Sequence, residues 1–272
     1  MKILKRLISI ITKGMDDNVM VYAAQSAYYL VLSVIPFIMI LLSVVQFFIP
    51  IDKAEIIKRI PTVLSADIQA YFKGIINEIF AKPAISLISA SAITTLWSAS
   101  RGFAAMERGV KKVYSIPKRK YFIIDILLSF VYTVIFTVVL VLFLAIIVFG
   151  KALLFVIDKH MPWLYINISS FRYVIFFAAS IAFFTILYAS FTSPKIKLRY
   201  HLPGAAFTGT GWVLFSYIFS VYINNFANYS RIYGSLTAIV LMMLWLYSCM
   251  TILLYGAEIN AAILKYKNEE YL

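Results

Sequence analysis

The chain is poor in the residues that build disulfides, metal centres and acid–base active sites. Its 272 residues include one cysteine, two histidines and 12 acidic residues. Cys249 is alone, which excludes a disulfide framework and a thiolate cluster. His160 and His201 lie far apart in sequence, and there is neither an HExxH motif nor a phosphate-binding glycine loop. We therefore expect no bound metal, no cofactor and no enzymatic activity.

Charged residues are also scarce, and apolar residues dominate. Only 14% of the residues are charged, 62% are hydrophobic, and the mean hydropathy is +0.89. A soluble domain of this length exposes too much surface to be so apolar. The composition predicts an all-α, polytopic membrane helix bundle, with residues 1–272 forming a single integral membrane domain.

The positive net charge of +13 has two interpretations. It could mark a nucleic-acid-binding protein, but lysine and arginine in cytoplasmic loops are the ordinary topology signal of a membrane protein. The second interpretation explains the charge without a nucleic-acid partner, and we expect none.

Six apolar segments are candidates for membrane spans, because about 20 mostly apolar residues cross the hydrocarbon core. They are Val19–Ile49, Ala84–Ser100, Phe122–Phe149, Phe171–Ser193, Leu202–Phe226 and Tyr233–Leu264. The second, "AISLISASAITTLWSAS", is short and rich in Ser, Thr and Ala, so it either packs inside the bundle or only re-enters the membrane.

The basic residues predict the orientation. With the N-terminus inside, 16 of the 25 lysines and arginines fall on the cytoplasmic side, so both termini are predicted to be cytoplasmic, in a bacterial inner membrane. Three amphipathic segments accompany the spans: residues 1–18 as an interfacial cytoplasmic helix, residues 52–83 outside, and residues 101–121, a weaker case, inside.

Three predicted spans carry polar side chains along one face. The stripes are Tyr22, Gln25, Ser26, Tyr29, Ser33 and Pro36; Asp125, Ser129, Tyr132 and Thr133; and Ser248, Thr251, Tyr255 and Glu258. Lipid offers no hydrogen-bond partner, so the stripes must face inward. Either they bond to one another and hold the bundle together, or they line a polar cavity open to the cytoplasm.

Glu258 is a carboxylate within the apolar stretch "LLYGAEINAAIL", near the predicted inner headgroup level. A carboxylate there needs a cation, and we expect Arg101 or Arg199 to supply it, either as a gate or headgroup site or as a structural lock. Small residues predict close helix packing at Gly204, Gly209, Gly211 and Gly256.

Five motifs occur in order along the chain: "YAAQSAYYLVLSVIP", "LWSASRGF", "RYHLPGAAFTGTGW", "YGSLTAIVLMMLWLY" and "GAEINA". Together they resemble the YihY/BrkB family of bacterial inner-membrane proteins. The resemblance implies little about activity: the family carries an old ribonuclease label, a virulence label, and suggestions of a role in envelope lipid export. The ribonuclease label is disfavoured here, because the chain lacks clustered carboxylates or histidines.

Two functions follow as hypotheses. The first is a transporter or flippase-like protein for an amphipathic, anionic envelope lipid, with the stripe residues along its path and Arg101, Arg199 and Glu258 at its inner end. The second is a non-transporting scaffold that docks envelope-assembly proteins on residues 52–83. Membrane lipids are expected partners in both.

Overall fold

The computed structural model describes residues 2–48, 53–58, 69, 73–74, 76–77, 84–116, 162–193, 196–225 and 236–269. Within these residues the secondary structure is entirely helical. We number the helices α1 (Lys2–Asp16), α2 (Val19–Phe48), α3 (Lys53–Lys58), α4 (Ala84–Val113), α5 (Pro162–Phe191), α6 (Leu202–Asn225) and α7 (Thr237–Glu269). A 3₁₀ turn, Leu198–Tyr200, precedes α6.

Three of these helices contain stretches long and apolar enough to cross a membrane: Val19–Met39 of α2, Leu202–Ile223 of α6 and Thr237–Lys265 of α7. They coincide with the first, fifth and sixth predicted spans. Helix α5 contains a shorter apolar stretch, Phe177–Phe191, within the fourth. The third predicted span, Phe122–Phe149, lies outside the described residues, so the count of six spans and the orientation stay predictions.

Helix α4 corrects one predicted boundary. From the sequence we predicted a span that ends at Ser100 and a separate amphipathic segment over residues 101–121. The structure has one 30-residue helix from Ala84 to Val113, which passes through Arg101 without a break. The change from a Ser- and Ala-rich to a basic composition therefore occurs within one continuous helix and does not mark a helix boundary.

Helix α1 turns back onto the bundle. Asn18 adopts a left-handed backbone conformation with φ of 56°, which asparagine tolerates better than most residues. This turn reverses the chain between α1 and α2, so that α1 packs against both α2 and α7.

The best-packed part of the bundle is one end, where α2 and α6 begin and α4 and α5 finish. Helix α2 packs extensively along α4, and α7 packs against α2, α4 and α6. The buried apolar side chains at this end include Val19, Ala23, Phe103, Met106, Val110, Val113, Phe184, Leu187, Phe191, Ala205, Leu253, Leu254 and Ala257. We call it the Glu258 end, because Glu258 lies among these residues.

Candidate functional site

Glu258 is a buried acid in an ion pair at the Glu258 end. Its side chain is 1% exposed, and its Oε2 lies 3.0 Å from the Nζ of Lys13, which comes from α1. Lys13 also donates to the backbone carbonyl of Val113, at 2.9 Å, and so satisfies a carbonyl at the end of α4. One ammonium group therefore ties together α1, α4 and α7.

The prediction that Arg101 or Arg199 pairs with Glu258 is wrong. Both arginines are exposed, and each lies over an aromatic ring: Arg101 is 5.9 Å from the ring centroid of Trp97, and Arg199 is 5.1 Å from that of Tyr200. The physical reason is the reversal at Asn18, which brings α1 onto α7 and supplies a lysine where an arginine was expected. The need of Glu258 for a cation was correctly anticipated.

A close contact between helices sets the position of Lys13. The next residue, Gly14, lies so near Tyr255 of α7 that an added Cβ would come within 2.6 Å of the tyrosine ring. Only a glycine allows α1 to approach this closely without displacing the ring. The approach allows the Lys13 side chain to reach Glu258, one helical turn beyond Tyr255 on the same face.

A second carboxylate, Asp17, adjoins the pair. Its oxygens lie 3.6 Å from Lys13 Nζ and 3.8 Å from Lys112 Nζ, so Asp17 and Glu258 face the same Lys13 ammonium. Two acids and two lysines thus form one cluster. Its members differ in access: Lys13 and Lys112 are 43% and 51% exposed, while Asp17 is 14% exposed.

A polar network centred on His201 lies close to this cluster. The His201 ring is fully buried, with Nδ1 3.2 Å from the Tyr114 hydroxyl and Nε2 3.3 Å from the Thr192 hydroxyl. Asn260 donates to the His201 carbonyl and accepts from the Gly204 backbone N–H. The network joins the ends of α4 and α5 to α6 and α7.

Burial shifts two pKa values in this network. It lowers the pKa of the His201 imidazole below its ordinary 6.5 and raises the pKa of the Tyr114 phenol well above its ordinary range, because burial penalises the charged form of each group. His201 is therefore a neutral hydrogen-bonding residue at pH 7. From the sequence, His201 was weighed only as a poorly supported metal ligand, and no spacing signal marked its role.

Helices α6 and α7 touch where their glycines meet. A Cβ on Gly204 would collide with the backbone carbonyl of Gly256, and one on Gly256 would collide with the Thr208 and Tyr188 hydroxyls. Tyr188 donates to the Leu253 carbonyl at 2.7 Å. Added Cβ atoms on Gly209 and Gly211 would instead meet the side chains of Ser180 and Ile252.

The polar stripes mostly bond within their own helices. The buried Ser26 and Ser33 donate to carbonyls one turn back in α2, and Thr251 does so in α7. Gln25 accepts a hydrogen bond from Arg108 of α4 at 3.4 Å, and Tyr29 meets Trp97 edge-on. Tyr22 and Pro36 are partly buried in α2. The stripe of Asp125, Ser129, Tyr132 and Thr133 lies outside the described residues.

A groove and a small pocket between the described helices are not lined by stripe residues. A groove of about 370 Å³ between α6 and α7 is bordered by Ser216, Phe219, Ser220, Ile223, Leu241, Met242 and Trp245. A small apolar pocket of about 30 Å³ lies among α2, α4, α5, α6 and α7. A polar cavity along the stripes therefore stays a prediction.

Among the residues that the structure describes, no group of three or more His, Cys, Asp or Glu side chains could hold a metal ion. The cluster at Glu258 contains two acids and two lysines, and the lysines compete with any cation for the carboxylates. The arrangement is a salt-bridge cluster in which the two acids are largely buried and the two lysines are partly exposed.

Comparison with known proteins decides the family. The family model described as "Virulence factor BrkB" matches residues 10–271. The chain belongs to this family. A Bacillus subtilis relative, described as "Putative ribonuclease-like protein YfkH", is 30% identical over 250 residues, which is 90% of each chain. The resemblance to the YihY/BrkB family is thus confirmed.

Other relatives match this chain over shorter regions. A UPF0761 membrane protein of Aliivibrio salmonicida is 38% identical over 77 residues, 28% of this chain and 25% of its own length. Another, from Pseudomonas aeruginosa, is 32% identical over 80 residues, 29% of this chain and 20% of its own. No solved structure matches. With its apolar helices, the chain is a membrane protein of the BrkB/UPF0761 family.

Proposed function

We propose that this protein is a flippase-like transporter of an amphipathic, anionic envelope lipid. The observation that carries the proposal is the Lys13–Glu258 pair, in which a buried acid is held by a partly accessible lysine. Ionised groups within membrane-spanning segments are costly and are retained mainly where they serve a function. This pair also joins α1 to α7, the helix that packs against α2, α4 and α6.

The difference in exposure supports a role in headgroup binding. The Lys13 side chain is 43% exposed and that of Glu258 is 1% exposed. An anion in the surroundings of the protein can therefore reach the ammonium without first reaching the acid. Lys112, 51% exposed and near Asp17, provides a second ammonium. Phosphate and carboxylate groups bind such lysines through charge-assisted hydrogen bonds.

A headgroup that binds Lys13 competes directly with Glu258. Once Lys13 turns toward the headgroup, the contact between α1 and α7 loses its ion pair, and α1 is free to move away from the bundle. In this scheme the pair is the inner gate. The exposed Arg101 and Arg199 serve in this scheme as further cations for the headgroup. The stripe residues Tyr22, Gln25 and Tyr29 line the path of the lipid.

The groove between α6 and α7 supports the apolar half of the substrate. Its walls are mainly Phe, Ile, Leu and Met side chains, with two serines, and Trp245 Nε1 donates to Ser216 at 3.0 Å. A groove of about 370 Å³ with mostly apolar walls suits an acyl chain, because burial of methylene groups is favourable by about 0.8 kcal/mol each.

Lipid translocation in proteoliposomes tests the proposal. Wild type, Lys13→Gln and Glu258→Gln are compared, with Lys197→Gln as a control that removes an exposed positive charge outside the pair. Movement of labelled anionic and zwitterionic phospholipids between leaflets is followed by chemical quenching. We expect wild type to prefer the anionic lipid. Lys13→Gln should lose the preference, whereas Glu258→Gln should keep it and half-saturate at a lower lipid fraction, because the competing carboxylate is gone.

Equal rates in protein-containing and empty vesicles, for both lipids, would contradict the transporter. That result would favour the scaffold hypothesis, which depends on residues 52–83, most of which lie outside the described residues.

A further inference from the structure

The structure leaves two buried carboxylate oxygens without a hydrogen-bond donor at the same place. They are Glu258 Oε1 and Asp17 Oδ2, and both carboxyl groups lie against the same Lys13 ammonium, at 3.0 Å and 3.6 Å. Glu258 is 1% exposed and Asp17 is 14% exposed. Two ionised carboxylates cannot donate to each other, so neither oxygen gains a hydrogen bond and the two charges repel.

We infer that the Asp17 and Glu258 carboxyls bind one proton between them. A single proton converts the pair into a carboxyl–carboxylate hydrogen bond, in which one O–H donates to the other group. It satisfies the unpaired oxygens and removes one of two adjacent negative charges. The proton site shares Glu258 with the proposed gate, but it is inferred from the two carboxyl groups alone and does not depend on the proposed transport function.

The surrounding charges are consistent with one proton. Lys13 faces both acids, at 3.0 Å from Glu258 and 3.6 Å from Asp17. Lys112 lies 3.8 Å from Asp17 and is half exposed, so water screens its effect. Within the buried part, two carboxylates therefore share one ammonium, and one negative charge remains to be neutralised.

The other titratable groups nearby do not take this proton. Tyr114, just after α4, and Tyr255 on α7 are close enough to interact electrostatically with Glu258. Tyr22 of α2 packs near Leu254 beside Gly109, and His201 contacts the Tyr114 hydroxyl. Phenols and ammonium groups titrate near pH 10 in water, far above the range of a carboxyl group. An imidazole has no carboxyl C=O, so its protonation is distinguishable by infrared spectroscopy.

A metal cation suits the site less well than a proton. Na⁺ or Mg²⁺ needs several oxygen ligands around it, and the Lys13 ammonium already occupies the side of Glu258 that faces α1. A proton needs only the two oxygens that lack a donor.

Infrared difference spectroscopy of the purified full chain tests this inference. The C=O stretch of a protonated carboxyl is followed between pH 5 and 9 in sodium-free buffer and again with NaCl. We expect a band that persists in wild type at least one pH unit above the ordinary carboxyl range of about 4. Glu258→Gln and Asp17→Asn should each abolish it, and Asp16→Asn, which removes the neighbouring exposed acid, should keep it.

Lys13→Met provides an arm that retains both acids. Loss of the ammonium favours the protonated pair, so the band should persist to a pH higher by about one unit or more. The inference is overturned if wild type has no such band, if the band survives both acid variants, or if NaCl removes it at constant pH, which would indicate a sodium site. Circular dichroism and gel filtration confirm that each variant is folded.

Discussion

Helices α6 and α7 meet in two very different ways along their length. At the Glu258 end the backbone of Gly204 contacts that of Gly256, and Asn260 bonds to the Gly204 N–H at 2.7 Å. Toward the other end the same helices border a groove of about 370 Å³. The residues at the two places differ in size: glycines permit backbone contact at the crossing, whereas Phe219, Met242 and Trp245 line the groove. One helix pair thus provides both a fixed crossing and an open surface.

The largest effect is expected from filling the fixed crossing. Gly204→Ala places a methyl group against the Gly256 carbonyl, which belongs to the backbone and cannot turn away. We expect a loss of about 3 kcal/mol or more in the free energy of unfolding, measured by denaturation in mixed micelles.

The matched control is Gly209→Ala. Its new methyl would lie 3.0 Å from the Ser180 hydroxyl, which can rotate, and we expect a change of about 1 kcal/mol or less. Equal stability of the two variants would show that the Gly204–Gly256 contact does not fix the crossing.

A second prediction concerns the ion pair at the same end. Lys13→Gln leaves the Glu258 carboxylate buried without its cation and should cost about 1–3 kcal/mol of unfolding free energy. Lys112→Gln is the control, because that lysine is half exposed and 3.8 Å from Asp17; we expect less than about 1 kcal/mol there. Similar losses in both variants would contradict a special role for Lys13.

The third prediction is a pH dependence from His201. Its folded-state pKa lies below its ordinary 6.5, so the unfolded chain binds a proton at a pH where the folded protein does not. The contribution to stability is complete above pH 6.5 and is lost as the pH falls through the lower folded-state pKa.

The melting temperature measured from pH 8 to pH 5 checks this. Wild type should lose more thermal stability than His201→Asn over that range. Tyr114→Phe, which removes one hydrogen bond but keeps the imidazole, should retain the wild-type pH dependence. A pH profile that is the same in wild type and His201→Asn would refute the assignment.

The smallest effect is expected at the open end. Trp245→Phe removes the hydrogen bond to Ser216 and should cost about 1 kcal/mol, while enlarging the groove. Binding of a fluorescent fatty acid should change more in Trp245→Phe than in Leu214→Ala, which alters an exposed residue of α6. Identical binding in the two would indicate that the groove is not the acyl-chain site.

Much of the fold could be predicted, because long apolar runs in a sequence indicate membrane-spanning helices. The apolar stretches in α2, α6 and α7 overlap the first, fifth and sixth predicted spans almost completely. The continuity of α4 could not be predicted, because a Ser- and Ala-rich stretch followed by a basic one looks the same whether the helix breaks at Ser100 or continues.

The site was predicted only in part. Glu258 was identified because a carboxylate in an apolar run needs a cation. Its partner was missed, because Lys13 lies 245 positions away in the sequence. In addition, the basic and amphipathic pattern of α1 predicts a helix on the membrane surface and not one packed against α7. The polar bonds of His201 arise from a 3₁₀ turn and three helix ends, and no local pattern encodes such a meeting point.

The measurement that tests the account most directly is a double-mutant cycle between Lys13 and Glu258. Unfolding free energies are measured for wild type, Lys13→Gln, Glu258→Gln and the double variant. If the pair joins α1 to α7, the two substitutions should be strongly non-additive, with a coupling of about 1 kcal/mol or more. Additive losses would mean that the two side chains do not interact, and the proposed gate would be contradicted.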